Sequence, residues 1–319
     1  MNILIFGKDG QLGKAFKIVF ANKAGGQQRI HYAGQAECDL ANANTITVLL
    51  NQLKPNLIIN AAAYTAVDKA ETEIDLSFSI NAKAPEVMAQ YAVAHGASFL
   101  HYSTDYVFDG SKGGFYTEDD PRNPLGAYGK SKAAGEQAIE DTFANLPAQS
   151  NANYAILRTS WLYGDGDNFI RTILRMAMER EELRVISDQH GIPTNAEWLA
   201  KVSLDFLLNE NGQIKSFPSG IYHAVPSGQT TWHGLATLAI QSAIEAGASF
   251  NVKLDAIHAI LAAEYPLPAP RPMNSCMATT RLQALWKSEA DINKRAKLLE
   301  SWDEAVKAYV QHLVHSKLI

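Results

Sequence analysis

Residues 2–13 read NILIFGKDGQLG, and this stretch decides the fold. Residues 3–6 are apolar and partly β-branched, so residues 2–6 are typical of a short buried strand. Gly7, Gly10 and Gly13 follow in a G-x-x-G-x-x-G spacing, and the apolar spacing of residues 14–22 predicts a helix behind them. A strand, a glycine turn and a helix in this order offer backbone N–H groups to a pyrophosphate. The stretch therefore predicts a dinucleotide-binding turn.

Strand-like and helix-like patterns alternate through the first half of the chain. Beyond residues 2–6, the pattern predicts strands at 29–33, 57–60, 98–102 and 154–158, and helices at 44–53, 76–95 and 125–143. Such alternation predicts βαβ units around a parallel sheet. We expect an α/β fold with a Rossmann-type doubly wound sheet in residues 1–160. Residues 161–319 would form mainly a smaller mixed α/β substrate-binding domain, with some segments returning to the sheet.

The composition excludes several classes of function. The 319 residues carry 33 acidic against 28 basic side chains and a net charge of −5, which argues against nucleic acid as a partner. Cys38 and Cys276 have no paired-cysteine spacing and the histidines form no ligand pattern, so we expect no metal. Two isolated thiols, no signal-peptide pattern and no apolar run of about 20 residues favour a cytoplasmic protein without a membrane partner.

Tyr128 and Lys132 are four residues apart in a predicted helix and therefore share one face. Reducing a ketone needs a hydride for the carbon and a proton for the oxygen, and a tyrosine can supply that proton. A neighbouring ammonium lowers the pKa of a phenol by stabilising the phenolate. Thr104 follows a predicted strand, at the sheet edge where α/β proteins bind ligands, and its hydroxyl can contact the reacting oxygen. These residues predict carbonyl–alcohol redox chemistry.

Several blocks together give the chain a family resemblance. The glycine spacing at 7–13, NAAA at 60–63, STDYVF at 103–108 and the Tyr128-x-x-x-Lys132 pair resemble an extended short-chain dehydrogenase/reductase. Longer blocks, AAYTAVDKAE at 62–71, HYSTDYVF at 101–108, RTSWLY at 158–163 and DQHGIPT at 188–194, are similar to the dTDP-4-dehydrorhamnose reductase family. The resemblance spans nearly the whole chain. It implies NADPH- or NADH-dependent reduction of the C4 ketone of a dTDP-linked sugar.

The resemblance implies a role for each matching residue. Tyr128 would donate the proton, Lys132 would hold the nicotinamide ribose, and Thr104 would contact the reacting oxygen. The substrate-binding residues would be Thr104, Asp105, Trp161 and Arg271. The cofactor-binding residues would be Gly7, Gly10, Gln11, Leu12, Gly13, Asp39, Leu40, Ala63, Tyr64, Thr65, Tyr128 and Lys132.

Some features leave alternatives open. The sequence HYAGQ at 31–35 has neither the acidic residue that holds a ribose 2′-hydroxyl nor an arginine for a 2′-phosphate, so NADH and NADPH both remain. Some members of the family form a magnesium-linked dimer, but Ala15 replaces one ligand and Glu197 alone makes a poor site. We expect a monomer or homodimer without metal. A nucleotide-sugar epimerase or dehydratase and a non-catalytic dinucleotide-binding regulatory subunit are the alternative functions.

Overall fold

The computed structural model describes residues 1–22, 28–144, 146, 150–286 and 291–319. Within them the strands are β1 Asn2–Phe6, β2 Arg29–Ala33, β3 Leu57–Asn60, β4 Ser98–Thr104, β5 Asn153–Thr159, β6 Leu162–Tyr163, β7 Leu183–Ile186, β8 His190–Gly191, β9 Thr194–Asn195, β10 Gly220–His223, β11 Thr230–Thr231 and β12 Ile257–Ile260. The α-helices are α1 Gln11–Ala21, α2 Ala43–Leu53, α3 Val67–Ala70, α4 Ile74–Phe78, α5 Ala84–His95, α6 Ala127–Ala144, α7 Phe169–Glu179, α8 Ala196–Leu207, α9 Trp232–Glu245, α10 Thr280–Gln283, α11 Ile292–Leu298 and α12 Trp302–His315.

One parallel sheet organises the first half of the chain. Its strand order is β10-β5-β4-β3-β1-β2, and every neighbouring pair runs parallel. Because the strands are parallel, their carboxyl ends meet at a single edge, where α/β proteins bind ligands. The predicted Rossmann-type sheet is confirmed.

Alternate residues of each strand enter two different cores. In β1, Ile3 and Ile5 pack with α1 and α8, whereas Leu4 and Phe6 pack with α2, α5 and α6 on the other face. All four side chains are buried. A strand that buries both faces needs apolar residues throughout, which explains the uninterrupted apolar run of residues 3–6.

The second half of the chain divides between two places. Helices α7, α9 and α12 form a separate core with the parallel β7–β12 ladder. In contrast, α8 packs with α1 on the main sheet, and β10 pairs with β5 at the sheet edge. None of the described helices combines the length and the apolarity needed to cross a membrane.

The structure corrects two predicted elements. The single regular helix predicted at 76–95 is α4, a π-helical turn at Ser79–Lys83, and α5. Pro85 lies in the first turn of α5 and has no N–H to continue the regular hydrogen bonding, so the change of pitch falls just before it. The sequence pattern of residues 218–228 also predicts a strand bounded by turns, but only β10 forms within it, since Pro218 and Pro226 flank β10 and cannot donate to a ladder.

Gly13 generates a prediction about the glycine turn. A Cβ at this position would lie 2.0 Å from the carbonyl oxygen of Gly7, so the turn and α1 would have to move apart. We expect Gly13→Ala to lower the free energy of unfolding by about 1–3 kcal/mol, the usual cost of overpacking. Chemical denaturation measures this loss.

Gly113→Ala is the matched control, because a Cβ there meets nothing within 4 Å. It should change stability by less than about 0.5 kcal/mol. Equal effects of the two substitutions would contradict the close packing of the turn.

Candidate active site

A cleft of about 520 Å³ opens along the carboxyl edge of the sheet. The glycine turn after β1, the segment after β3, the end of β4, the first turns of α6 and the segment after β5 line it. The predicted site residues that line this cleft are Gly7, Gly10, Gln11, Leu12, Ala63, Thr65, Thr104, Asp105, Tyr128, Lys132 and Trp161.

The glycine turn packs closely against neighbouring backbone and leaves the N-terminus of α1 open. Gly7 has a φ of +87°, and a Cβ on it would lie 2.8 Å from the backbone of Ala61. Gly10 is the N-cap of α1 and makes no side-chain cap hydrogen bond, so the first N–H groups of the helix can receive an anion. Gly13 does not line the cleft but lies beneath the turn against Gly7. The turn fits the pyrophosphate of a dinucleotide.

Asn81 holds the cleft wall that follows β3. Its side-chain oxygen accepts the N–H of Tyr64 at 2.8 Å, and its amide donates to the Tyr64 carbonyl at 3.0 Å and to Ser131 Oγ at 3.0 Å. The residue is buried in the π-helical turn. It therefore ties the Ala63–Thr65 segment to α6, whereas the Tyr64 hydroxyl points away and donates to Glu73.

Tyr128 is a buried phenol beside the end of β4. Burial raises its pKa above the ordinary value of 10, a hydrogen bond with Thr104 opposes this rise, and the charge of Asp105 adds to it. The Tyr–Lys spacing predicted a lowered pKa for Tyr128, but the pKa is raised, because desolvation of the phenolate is the largest influence. Tyr128 is therefore protonated at neutral pH. The ring of Tyr106 packs edge-on against it, with centroids 5.3 Å apart.

Lys132 lies one turn after Tyr128 and is fully enclosed. Its ammonium donates to the carbonyl of Tyr102 at 2.6 Å and lies 3.1 Å from Nε2 of His101. Burial lowers the pKa of Lys132 to about 8, and the Glu136 carboxylate opposes this shift. The pKa of His101 lies well below its usual value for the same reason, so the ring is neutral. These contacts fix the lysine at the floor of the cleft.

Asp105 is a buried carboxyl at the junction of two chain segments. Thr104 Oγ1 donates to it at 2.9 Å, and Ser275 from the C-terminal part of the chain donates to its other oxygen. Burial raises the pKa of Asp105 to about 6 despite these hydrogen bonds.

Two stacked indoles form the far wall of the cleft. Trp161 and Trp232 lie with ring centroids 3.6 Å apart and an interplanar angle of 11°. Trp161 has a φ of +46°, a strained value for a residue with a side chain. A Cβ on Gly191 would lie 2.3 Å from the Trp161 ring, so the glycine of the DQHGIPT block makes room for it. Trp232 was not singled out by the sequence, because it opens a helix far along the chain.

A buried ion pair anchors the helix that carries Tyr128 and Lys132. Glu136 accepts two hydrogen bonds from Arg158 of β5, at 2.8 and 2.6 Å, and Arg122 approaches it at 3.3 Å. The side chains of Glu136 and Arg158 are at most 1% exposed. Sequence reasoning missed this pair, since nothing in the spacing of the two residues joins them.

Comparisons with known proteins give these features a family. Residues 1–315 match the model of the RmlD substrate binding domain. A dTDP-4-dehydrorhamnose reductase of Salmonella typhimurium is 41% identical over 288 residues, covering 89% of this chain and 91% of the relative. The chain belongs to the dTDP-4-dehydrorhamnose reductase family.

Solved structures of the dTDP-4-dehydrorhamnose reductase family agree. One from Clostridium acetobutylicum is 34% identical, with a TM-score of 0.82 over 98% of this chain and 99% of its own. One from Bacillus anthracis, in complex with NADP, is 29% identical, with a TM-score of 0.80 over 97% and 98%. The predicted family and enzyme class, an NAD(P)H-dependent oxidoreductase, are confirmed. Membership favours reductase activity over the epimerase, dehydratase and regulatory-subunit alternatives.

A second cavity of about 830 Å³ adjoins the cleft, because Tyr106 and Trp232 line both. Arg271 lines this second cavity, not the first, and its two terminal nitrogens form a bidentate pair with Asp68 at 2.6 and 2.8 Å. The ion pair joins the C-terminal part of the chain to α3. Arg180 and Arg184 also line the cavity.

Three residues that follow β2 do not line the cleft: Asp39 and Leu40, which the sequence predicts as cofactor-binding residues, and Glu37, which it does not. Asp39 is exposed and accepts the N–H of Ala41 at 3.0 Å, while Leu40 packs against the core under α2. Glu37 was missed: it folds back so that its carboxylate accepts the N–H of Gly34 at 2.8 Å. An acidic group therefore stands close to the place where the sequence showed none.

The residues at the family's magnesium position do not fit a metal. Ala15 and Glu197 line a 340 Å³ cavity between α1 and α12, and Glu197 pairs with Lys201 at 3.8 Å. Within the described residues, no three His, Cys, Asp or Glu side chains are grouped to hold a metal ion.

The Glu136–Arg158 pair predicts a large loss of stability on substitution. Glu136→Gln keeps the shape but leaves Arg158 as an uncompensated buried cation, which costs about 3–5 kcal/mol. Urea denaturation measures the loss. Glu140→Gln is the control, because Glu140 pairs with Arg122 while 31% exposed and should contribute at most about 1 kcal/mol. Similar losses would contradict the anchoring role.

Asp105 predicts a pH dependence of stability. The folded carboxyl holds its proton up to about pH 6, and the free carboxyl only to 3.8, so folding takes up a proton between these values. Stability should therefore fall as the pH rises through this window. Asp105→Asn cannot ionise, and its stability relative to the original chain should increase by up to about 3 kcal/mol between pH 4 and 7. A constant difference, measured by thermal denaturation, would refute the raised pKa.

Proposed function

We propose that this chain reduces the C4 ketone of dTDP-4-dehydro-L-rhamnose to dTDP-L-rhamnose with NADH or NADPH. The observation that supports this proposal is that Tyr128, Thr104 and Lys132 line the same cleft as the glycine turn, in a chain that belongs to this family. Bound reduced nicotinamide supplies the hydride. The remaining chemistry falls to the side chains of the chain.

Tyr128 is the proposed proton donor to the C4 oxygen. Its pKa lies above 10, so the hydroxyl carries its proton when the ketone arrives. The ketone oxygen becomes an alkoxide-like group during reduction, and a phenol is acidic enough to protonate it. Thr104 is the proposed second donor at the reacting oxygen, which requires its hydroxyl to turn from Asp105 to the ketone.

Lys132 is proposed to bind the nicotinamide ribose and to stabilise the phenolate left after proton transfer. Its ammonium donates to the Tyr102 carbonyl, which holds it at the floor of the cleft. Burial lowers the pKa of Lys132 to about 8. A cation there favours the anionic form of a nearby tyrosine. Tyr128 would therefore be a neutral phenol before proton transfer, and Lys132 would stabilise its phenolate afterwards.

The rest of the cleft is proposed to hold the dinucleotide. The turn of Gly7, Gly10 and Gly13 would receive the pyrophosphate, with Gln11 and Leu12 beside it. The other proposed cofactor residues are Ala63, Tyr64, Thr65, Asp39 and Leu40, the last two towards the adenine.

The substrate is proposed to extend from the cleft into the second cavity. Asp105 would contact the sugar, and Trp161, stacked on Trp232, would contact the sugar or the base. Arg271 and its neighbouring arginines would face the diphosphate, since a guanidinium matches phosphate geometry. Residues 161–319 would thus serve mainly as the substrate-binding domain, and residues 1–160 as the cofactor-binding domain.

The proposed compartment is the cytoplasm, because both cysteines are free and buried and NAD(P)H is supplied there. The expected monomer or homodimer stays a prediction.

Replacement of the phenol tests the assignment. Tyr128→Phe removes the proton donor and leaves the ring, so turnover with dTDP-4-dehydro-L-rhamnose should fall by a factor of about 10²–10⁴. The dissociation constant for NADH should change by less than about threefold, because the hydroxyl contributes to the reaction and little to binding. Stopped-flow absorbance and fluorescence titration measure the two quantities.

Tyr154→Phe is the control, because Tyr154 lies on β5 away from the cleft and packs against Phe143. It should leave turnover unchanged. Near-normal turnover of Tyr128→Phe would contradict the role of Tyr128 as the proton donor.

A further inference from the structure

The ends of β1 and β2 are joined where the chain enters the glycine turn. Phe6 pairs with Ala33 in the sheet register, and the carbonyl of Ala33 accepts the N–H groups of Gly7 at 2.8 Å and Lys8 at 3.2 Å. The first residues after β2 therefore lie beside the turn that would hold the pyrophosphate. In dinucleotide-binding folds, a residue in this position meets the adenosine ribose.

Glu37 brings a carboxylate to this position from three residues further along. The N–H groups of Glu37 and Cys38 bond to the Gly34 carbonyl at 3.2 and 3.0 Å and close a tight turn. The Glu37 side chain then reaches back, with one oxygen on the Gly34 N–H at 2.8 Å and the other on the Lys8 ammonium. Both partners remain reachable, with side-chain exposures of 24% for Lys8 and 43% for Glu37.

The charges around Gly34 are unbalanced. The Asp9 carboxylate also lies over it, since a Cβ on Gly34 would be 2.2 Å from Asp9 Oδ2. Two carboxylates therefore surround one cation, Lys8, and residues 34–40, GQAECDL, contain no arginine or lysine. A ribose 2′-phosphate would bring about two more negative charges, whereas a 2′-hydroxyl can donate to a carboxylate.

We propose that Glu37 selects the dinucleotide with a free ribose 2′-hydroxyl, NADH, and that Lys8 limits this selectivity by offsetting the carboxylate charge. The inference rests on the proposed function only in that this cleft binds a nicotinamide dinucleotide. Glu37 accepts the 2′-hydroxyl and repels a 2′-phosphate. Lys8 attracts a 2′-phosphate. The two side chains therefore have opposite effects on the preference for NADH over NADPH.

The test measures binding of the cofactor in the absence of any sugar. The full-length chain is titrated with NADH and with NADPH by fluorescence, and with 5′-AMP and 2′,5′-ADP by calorimetry. Glu37→Gln keeps an oxygen for the Gly34 N–H and removes the charge. It should raise the ratio of NADPH to NADH affinity about tenfold, and the ratio of 2′,5′-ADP to 5′-AMP affinity likewise.

Lys8→Gln should move the same ratios the other way, by about threefold or more. The matched controls are Glu86→Gln and Lys83→Gln, which break an exposed ion pair at the start of α5, 2.9 Å between its atoms, with the same charge changes. Both should leave the ratios within twofold of the original chain.

The original chain should bind NADH more tightly than NADPH, with a preference that weakens as salt screens the charges. A tenfold preference for NADPH, or a Glu37→Gln ratio within twofold of the original, overturns the proposal. If Glu37→Gln does not fold, the Lys8→Gln shift and the 5′-AMP preference of the original chain decide it. Because no sugar is used, a chain that binds selectively but reduces nothing would refute the proposed function and leave this inference standing.

Discussion

The parallel pairing of β1 with β2 and β3 is the constraint on which the rest of the structure depends. Parallel strands bring every carboxyl end to one edge, and the ends of β1, β3, β4 and β5 there carry residues of the cleft. Gly7 follows β1, Thr104 ends β4, and Trp161 follows β5. These residues are distant in the chain, so only the sheet brings them together. This arrangement buries both faces of the sheet, and the apolar strands form a separate core on each face.

Burial also determines the chemistry of helix α6. Tyr128, Lys132 and Glu136 follow one another at four-residue intervals and are all buried, so each favours its neutral form unless a partner opposes it. The phenol and the ammonium have shifted pKa values in opposite directions, above 10 for Tyr128 and to about 8 for Lys132. Glu136 stays charged because Arg158 pairs with it. The ion pair holds the helix on the sheet while the cleft end remains available to ligands.

Local patterns predicted much of this arrangement, and contacts distant in sequence account for the rest. Short apolar runs predicted the main strands, helical spacing predicted the helices, and the glycine turn and the Tyr128-x-x-x-Lys132 pair predicted residues that line the cleft. The close packing of the turn around Asn81 against α6 involves two distant segments, since a Cβ on Gly135 would lie 2.1 Å from the Asn81 carbonyl oxygen. The raised pKa of Tyr128 depends on burial by several segments. Trp232 and the fold-back of Glu37 likewise emerge only when separate parts of the chain meet.

A labelled hydride tests most directly whether this chain reduces the ketone. Purified protein is given dTDP-4-dehydro-L-rhamnose and NADH carrying deuterium at the transferred position of the nicotinamide, and the sugar product is analysed by mass spectrometry and NMR. Direct reduction of the ketone by this chain predicts dTDP-L-rhamnose with one deuterium at C4 and one oxidised cofactor per product. Unconsumed cofactor, or a product without deuterium at C4, from protein shown to bind NADH would contradict direct reduction of the ketone by this chain.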